Sequence, residues 1–129
     1  MILTVTPIYA ALLGLFYIGL AVRVIRYRRG NRISLGDAED KAMRKRLRVH
    51  GNFAEYAPLA LILLLLVELQ DTPALAVHAL GLSLLAGRVL HAAGLGSTPQ
   101  RMNLRVTGMV LTLSMIAVAA LLLLLGPVL

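Results

Sequence analysis

Four stretches of the chain are apolar enough to be considered as membrane spans. Residues 1–22 and 106–129 carry no charged side chain. Two shorter uncharged runs, residues 56–67 and 72–87, can cross a bilayer only if helical polar residues continue them, since a hydrocarbon core of ~30 Å needs about 20 residues. The pattern predicts an all-α, four-helix up-and-down bundle in one domain covering residues 1–129. The predicted spans are about 3–27, 47–69, 73–94 and 101–126.

Helix ends are predicted from capping residues. Ser34 and Asp37 offer side-chain caps for the second helix. The pairs Thr72-Pro73 and Thr98-Pro99 resemble an N-cap followed by proline at the first helical position, so they are expected to start the third and fourth helices.

The charged residues are distributed asymmetrically. Ten of the 13 basic residues lie within residues 23–48, and the other three flank the connection between the third and fourth spans. With four crossings these two regions share one side, which agrees with the positive-inside rule. We therefore expect a basic cytoplasmic loop at about residues 28–46 and both termini outside the cytoplasm. The first segment lacks a basic n-region, which favours a retained helix over a cleaved signal peptide.

Composition supports lipid as the solvent, with 59% hydrophobic residues and a mean hydropathy of +0.83. The net charge of +7 could suggest nucleic acid, but its location beside the spans argues against a nucleic-acid partner. The chain has no cysteine, which excludes disulfides and a protein thiol nucleophile. No metal-ligand spacing is present, and no metal is expected.

One stretch of the second helix carries polar groups into an apolar run. At about 100° per residue His50 points nearly opposite to one shared polar face, which is formed by Arg44, Arg48, Asn52, Glu55 and Tyr56. Two interpretations stay open. The structural one is a network that ties helices together, with Arg48 and Glu55 paired through Asn52. The functional one is a site for a small zwitterionic or anionic ligand.

Further basic residues end or begin the other helices at a similar depth. Guanidinium groups near helix termini attract anions, and the alternative is that they anchor the helices to phospholipid headgroups. For Arg28, Arg29 and Arg32 we prefer the anchoring role. The remaining candidates for an anion site are Arg23, Arg26, Arg88, His91, Arg101 and Arg105.

Two features of the third helix are interpreted as structural. His78 lies deep in the span, and a neutral histidine hydrogen-bonded to a neighbouring helix is a better account than metal ligation. Ser83 and Gly87, four residues apart, are expected to be positions of close helix packing.

The run R-x-x-x-N-x-x-E-Y-x-P, formed by residues 48–58, resembles the signature of the MAPEG family, membrane-associated proteins in eicosanoid and glutathione metabolism. The resemblance covers nearly the whole chain, including four spans, a basic loop after the first and arginines that open the fourth helix. It implies a homotrimer that binds glutathione as co-substrate between adjacent protomers, at the cytoplasmic ends of the helices.

The resemblance also implies roles for individual residues. Arg105 matches the arginine that stabilises the glutathione thiolate, with Arg101 as its competitor for this catalytic role. Leu95 departs from the pattern, because several family members place a ligand-binding tyrosine there. The residues expected to bind glutathione are Arg26, Arg48, His50, Asn52, Glu55, Tyr56, Arg88 and His91.

The implied activity is a glutathione-dependent transfer to a hydrophobic electrophile, or reduction of a lipid hydroperoxide. The alternative is a non-catalytic membrane protein of the same fold that acts as a structural or lipid- and thiol-binding module. A transporter is less well supported, since no inverted repeat is visible. The sequence leaves open whether another small thiol replaces glutathione. Expected partners are a second and third copy of the chain, membrane lipids and the electrophile, and the expected location is a bacterial inner membrane.

Overall fold

The computed structural model describes residues 2–126 and contains four long α-helices. Within these residues there is no β-strand, and every helix is long and apolar enough to cross a membrane. The prediction of an all-helical chain with four helices of membrane-spanning length is confirmed. The helices are α1 (Thr6–Asn31), α2 (Lys41–Leu69), α3 (Ala74–Gly96) and α4 (Met102–Leu125).

The helices alternate in direction, so the two ends of the bundle differ in charge. At one end, which we call the acidic end (residues 2–6, 68–74 and 126), the backbone before α1 contacts Glu68 at the end of α2. At the opposite, basic end (residues 23–48 and 96–105), the Lys45 ammonium donates to the Ser97 carbonyl at 2.6 Å. The beginning of α1 and the end of α4 thus lie at the same end of the bundle.

Helices α2 and α3 form the centre of the bundle, because each packs against all three other helices. The most extensive pair is α3 with α4, and α1 packs on α2 and α3. Across the described residues, α1 and α4 make no close backbone contact. The core is apolar and includes fully buried side chains from each helix, among them Leu13, Leu64, Leu84 and Met115.

Glycines allow α3 and α4 to approach closely. A Cβ atom added to Gly87 would lie 2.7 Å from the Thr112 hydroxyl oxygen and 2.8 Å from the Gly108 carbonyl oxygen. A Cβ atom at Gly108 would collide with the His91 backbone. Ser83 donates from its hydroxyl to the Leu111 carbonyl at 2.9 Å. The predicted close-packing roles of Ser83 and Gly87 are therefore confirmed, and the facing glycine on α4 explains the approach.

The second helix begins later than its predicted caps. Its N-cap is Asp40, whose carboxylate accepts a hydrogen bond from the Met43 amide at 3.0 Å. Asp37 instead accepts from the Glu39 amide and from Arg44, so the assignment of Ser34 or Asp37 as the cap was wrong. The physical reason is the left-handed backbone of Ala38 and Glu39, which a right-handed helix excludes.

The predicted threonine caps were also wrong. Helix α3 follows Pro73 directly, without a side-chain cap, and α4 begins at Met102. The Thr98 hydroxyl accepts a hydrogen bond from the Lys45 ammonium at 3.0 Å. Because its hydroxyl is engaged by α2, Thr98 ties the α3–α4 connection to α2 rather than starting a helix.

His78 and Tyr9 form a polar contact between α3 and α1. The Tyr9 hydroxyl and the His78 Nδ1 atom are 3.0 Å apart, and the rings meet edge to face. The predicted interhelical hydrogen bond of His78 is confirmed.

Candidate functional site

The polar face of α2 divides between solvent and the bundle. Arg48 and Glu55 form a direct ion pair of 3.3 Å, and both side chains are about half exposed. Asn52 and Tyr56 are half-buried and face Arg88 on α3. The structural interpretation in which Arg48 and Glu55 pair through Asn52 is wrong, because the Asn52 side-chain oxygen is taken by Arg88.

Arg88 is the most unusual residue of the site, because its guanidinium is buried without a carboxylate partner. Only 2% of the residue is exposed. Its Nη1 atom donates to the Asn52 side-chain oxygen at 2.5 Å, and its Nε atom donates to the Thr112 hydroxyl at 3.0 Å. The guanidinium also lies 5.4 Å from the centre of the Tyr56 ring. Within residues 2–126 no acidic side chain pairs with it.

This position lies well below the basic end. Arg88 precedes the last residue of α3 by eight positions, which corresponds to about 12 Å along the helix axis. A buried charge is costly unless it is compensated. Neutral oxygens and a ring face compensate it only in part, so the site keeps an unneutralised positive charge.

His91 lies close to several of these charges. His91 is buried, with 2% of the residue exposed. The positive charges of Arg88, Arg105 and Arg48 interact with it electrostatically. Its ring makes no hydrogen bond to another residue of the described part of the chain. Three helices therefore bring cationic groups to one region around His91, with Arg48 from α2, Arg88 from α3 and Arg105 from α4.

The two arginines at the start of α4 differ in their contacts. Arg105 is half-buried, and its Nη1 atom donates to the Gln100 side-chain oxygen at 3.0 Å. Arg101 is exposed, and its backbone amide donates to the Gly94 carbonyl at 3.0 Å. Gly94 packs on the backbone of both arginines. This close approach sets the start of α4 against the end of α3, and it leaves the Arg105 guanidinium bonded only to a neutral amide.

Two of the predicted glutathione ligands lie elsewhere in the chain. His50 points toward α1, where its ring centre is 4.9 Å from that of Tyr17, so its direction opposite to Asn52 agrees with the helix-wheel argument. Arg26 lines a cavity of about 350 Å³ at the basic end, together with Arg23 and Arg46. A single chain thus does not bring His50 and Arg26 to the side of α2 that faces Arg88.

Sequence reasoning missed the residues that hold Arg88 in place from α4. Thr112 also donates to the Gly108 carbonyl one turn earlier, and the Met109 sulfur accepts from Arg88 Nη2 at 3.2 Å. A threonine in an apolar helix usually bonds its own backbone, so its second contact gave no signal in the sequence. No group of three potential metal ligands occurs in residues 2–126.

The arrangement can bind an anion with one additional cationic group. The guanidinium groups of Arg48, Arg88 and Arg105 lie within electrostatic range of His91, and the carboxylate of Glu55 lies beside Arg48. Guanidinium forks recognise carboxylates, whereas a carboxylate recognises an ammonium. Such a set is suited to a small zwitterion with an excess of negative charge.

Comparison with known proteins places this chain in a defined family. The chain matches the MAPEG family over residues 6–125 and belongs to that family. Two relatives are proteins named inner membrane protein YecN, from Escherichia coli strain K12 and from E. coli O6:H1. Each is 36% identical over 90 residues, which cover 70% of this chain and 69% of the relative. No solved structure matched the chain. The protein is an integral membrane protein with four apolar helices.

Proposed function

We propose that this protein is a glutathione-dependent membrane transferase that acts on hydrophobic electrophiles, with lipid hydroperoxides as a second substrate class. The observation that carries the proposal is the buried Arg88 guanidinium, which is held by neutral groups only and lies one turn before the buried His91 on α3. The guanidinium groups of Arg48 and Arg105 lie within electrostatic range of His91. Family membership supports glutathione as the ligand, since the family includes glutathione-dependent enzymes.

The division of the predicted ligands supports a homotrimer with the site between protomers. Asn52 and Tyr56 face Arg88, whereas His50 faces α1 on the opposite side of α2. Groups on opposite faces of one helix reach a single small ligand only if two copies of the chain each supply one set. In this arrangement Arg26 and His50 come from one protomer, and Arg48, Asn52, Glu55 and Tyr56 from its neighbour.

The mechanism requires a thiolate. A thiol with a pKa of ~8.5 is mostly protonated at neutral pH, and the thiolate is the nucleophile. A guanidinium within hydrogen-bonding distance favours the anion, and each unit of pKa depression corresponds to ~1.4 kcal/mol. We assign this role to Arg105, because its only side-chain partner in the described chain is the neutral amide of Gln100. The thiol proton leaves to solvent, and the sulfur bonds to the electrophilic carbon as the leaving group departs.

We place the protein in a bacterial inner membrane with the site facing the cytoplasm. The names of the E. coli relatives support this location. The positive-inside rule supports the orientation, because the arginine-rich loop and the start of α4 lie at the basic end, whereas the beginning of α1 and the end of α4 lie at the acidic end.

The test is an ultraviolet difference spectrum of the purified protein in detergent as glutathione is added. Thiolate absorbance is expected for the wild-type protein and for Arg101→Ala, and it should disappear in Arg105→Ala. Binding is measured separately by equilibrium dialysis. Thiolate formation that is lost in Arg101→Ala and kept in Arg105→Ala would transfer the role to Arg101, and loss in neither variant would remove α4 from the mechanism.

A second candidate function is a non-catalytic module that binds lipid or a thiol. The buried Leu95 favours it, since it has no hydroxyl to offer a ligand and belongs to the hydrophobic core. Glutathione at 100 times its dissociation constant should stabilise a binding protein by about 2.7 kcal/mol. No rise in the melting temperature at millimolar glutathione would favour a module that does not bind it. A rise without thiolate absorbance would favour a thiol-binding module.

A further inference from the structure

A groove runs between α1 and α3. Its volume is about 450 Å³, within the usual range of small-molecule sites of roughly 300–1,000 Å³. Seven of the eight residues that line it are apolar, and the exception is Arg23. The lining residues are Leu15, Phe16, Gly19, Leu20, Arg23, Val89, Ala92 and Ala93.

Gly19 gives the groove its concave floor. A Cβ atom at Gly19 would meet nothing within 4 Å, so helix packing does not require the glycine. This contrasts with Gly87 and Gly108, where a Cβ atom would collide with the neighbouring helix. A glycine inside a helix is destabilising relative to alanine. Because Gly19 has no side chain, α1 has an open notch at this position.

Arg23 connects the groove to a second, polar cavity. It lines both the apolar groove and the cavity of about 350 Å³ that contains Arg26 and Arg46. Asp40, the acidic neighbour of Arg46, already accepts hydrogen bonds from the Tyr27 hydroxyl and the Met43 amide. Arg23 and Arg26 donate no hydrogen bond to another residue within 2–126. Arg46 donates one hydrogen bond to the Ala42 carbonyl at 3.1 Å and lies over the Tyr27 ring, and its other donors remain for a ligand. The polar cavity therefore offers guanidinium groups to an anion.

The dimensions of the groove match one leaflet of a bilayer. The segment from Leu15 to Arg23 extends about 12 Å along the helix, and half of a ~30 Å hydrocarbon core is ~15 Å. Arginine at the boundary places its stem among acyl chains and its charge among headgroups. The combination is complementary to a molecule with one long apolar chain and a negative head.

We propose that the α1–α3 groove binds an anionic membrane phospholipid, with one acyl chain along Gly19 and the headgroup phosphate on Arg23 and Arg46. Neither Arg23 nor Arg46 belongs to the proposed glutathione site, although Arg26, which does, lines the same polar cavity. The lipid site does not depend on the proposed catalytic activity.

A second groove, between α1 and α2, provides the internal comparison. Its volume is about 310 Å³ and its lining is also largely apolar, with Gly14 and Tyr17 among the residues, but no arginine or lysine lines it. A Cβ atom at Gly14 likewise meets nothing within 4 Å. Gly14 and Gly19 are therefore matched positions on one helix, and they differ in the charge at the mouth of their grooves.

The experiment measures thermal stability of the full chain in uncharged detergent, without glutathione, as phosphatidylglycerol or phosphatidylcholine with identical acyl chains is added. Native mass spectrometry counts the bound lipids. We expect phosphatidylglycerol to raise the melting temperature more than phosphatidylcholine. Gly19→Leu should abolish this difference, and Arg23→Gln should weaken the apparent affinity about fivefold, as for one basic residue at an anionic surface.

The control variants are Gly14→Leu, which fills the uncharged groove, and Lys41→Gln, which removes an exposed charge at the start of α2. Both should retain the preference for phosphatidylglycerol. Ala93→Phe fills the groove from α3 and replaces Gly19→Leu if that variant does not fold. The proposal is overturned if all variants keep the preference, if Gly14→Leu also loses it, if glycerol phosphate alone stabilises equally, or if Gly19→Leu changes the oligomeric mass.

Discussion

The two ends of the bundle treat charge in opposite ways. At the acidic end, the Glu68 carboxylate accepts hydrogen bonds from the amides of Thr4, Val5 and Thr6 at 2.6–2.8 Å, so one acidic side chain satisfies the beginning of α1. Toward the basic end, Arg88 is buried with only neutral acceptors. The free amides and the dipole at the start of α1 compensate the Glu68 charge and thereby stabilise the fold. The Arg88 charge has only side-chain and carbonyl acceptors and a ring face near it, and we propose that it attracts an anionic ligand. The comparison separates the structural end from the end that we propose to be functional.

The largest expected effect is at Arg88. Arg88→Ala should lower the free energy of unfolding in detergent by about 3 kcal/mol, because it leaves a cavity and removes the partner of the Asn52 side chain. Denaturant unfolding followed by circular dichroism measures the change. Arg88→Met keeps most of the volume and should cost less than Arg88→Ala. A smaller loss in Arg88→Ala than in the half-buried Arg105→Ala would contradict the central position of Arg88.

The next effect is at Glu68. Glu68→Ala should lower the free energy of unfolding by about 2 kcal/mol, since three backbone amides lose a charged acceptor. The same unfolding measurement applies, and hydrogen exchange at the start of α1 should accelerate. The matched control is Asp71→Asn at the same end, which is exposed and should change stability by less than about 0.5 kcal/mol. Equal effects of the two changes would show that charge alone matters at this end.

A smaller effect is expected for the exposed pair of Arg48 and Glu55. A double-mutant cycle with Arg48→Ala and Glu55→Ala should give a coupling energy for stability of about 0.2–1 kcal/mol, because both side chains are about half exposed. Repeating the cycle in high salt should reduce the coupling. A coupling well above this range, or one insensitive to salt, would mean that the pair stabilises the fold and would weaken its assignment to ligand binding.

The smallest effect concerns pH and the loop before α2. The hydrogen bonds from the Met43 amide and the Tyr27 hydroxyl hold the pKa of Asp40 below its ordinary value. Its contribution to stability is therefore present above the unfolded-state pKa and is lost as the pH falls through the folded-state pKa. Melting temperatures measured from pH 6 downward should fall less steeply for Asp40→Asn, which keeps an N-cap side chain but does not titrate.

Asp37 provides a comparison for this pH dependence. Its pKa is also lowered, first by the hydrogen bond from Arg44. Asp37→Asn should likewise reduce the fall of the melting temperature as the pH is lowered from 6, but it leaves the N-cap of α2 unchanged. If neither substitution alters the slope, the carboxylates of this loop do not contribute to acid stability.

The helices were predictable because uncharged runs of sufficient length have few alternatives in lipid. Helix ends were less predictable. Asp37, Asp40 and Ser34 are all capping residue types close to the start of α2, and only the backbone of Ala38 and Glu39 selects Asp40. Thr98 has the sequence of a cap, but its hydroxyl bonds to Lys45, which is distant in the chain.

The polar face of α2 and the opposite direction of His50 followed from helical periodicity. The partners of Arg88 did not follow from periodicity, because they depend on the relative axial positions of α2, α3 and α4. Asn52, Thr112 and Met109 lie on two helices, and no local pattern links them to Arg88. The role of Glu68 was missed for the same reason, since a carboxylate at the end of one helix gives no sign in the sequence that it reaches the start of another. The roles of the remaining site residues in binding and catalysis stay predictions.

The contact of Glu68 with the residues at the start of α1 also fixes the distance along the bundle between Glu68 and the arginines of α1. It fixes the height of α1 at the acidic end, and α1 then rises 20 residues from Thr6 to Arg26, about 30 Å. An insertion of one residue between them would turn Arg26 by about 100° and raise it by about 1.5 Å. The contact with Glu68 at the acidic end and the length of α1 therefore together set the axial position of the arginines at the basic end.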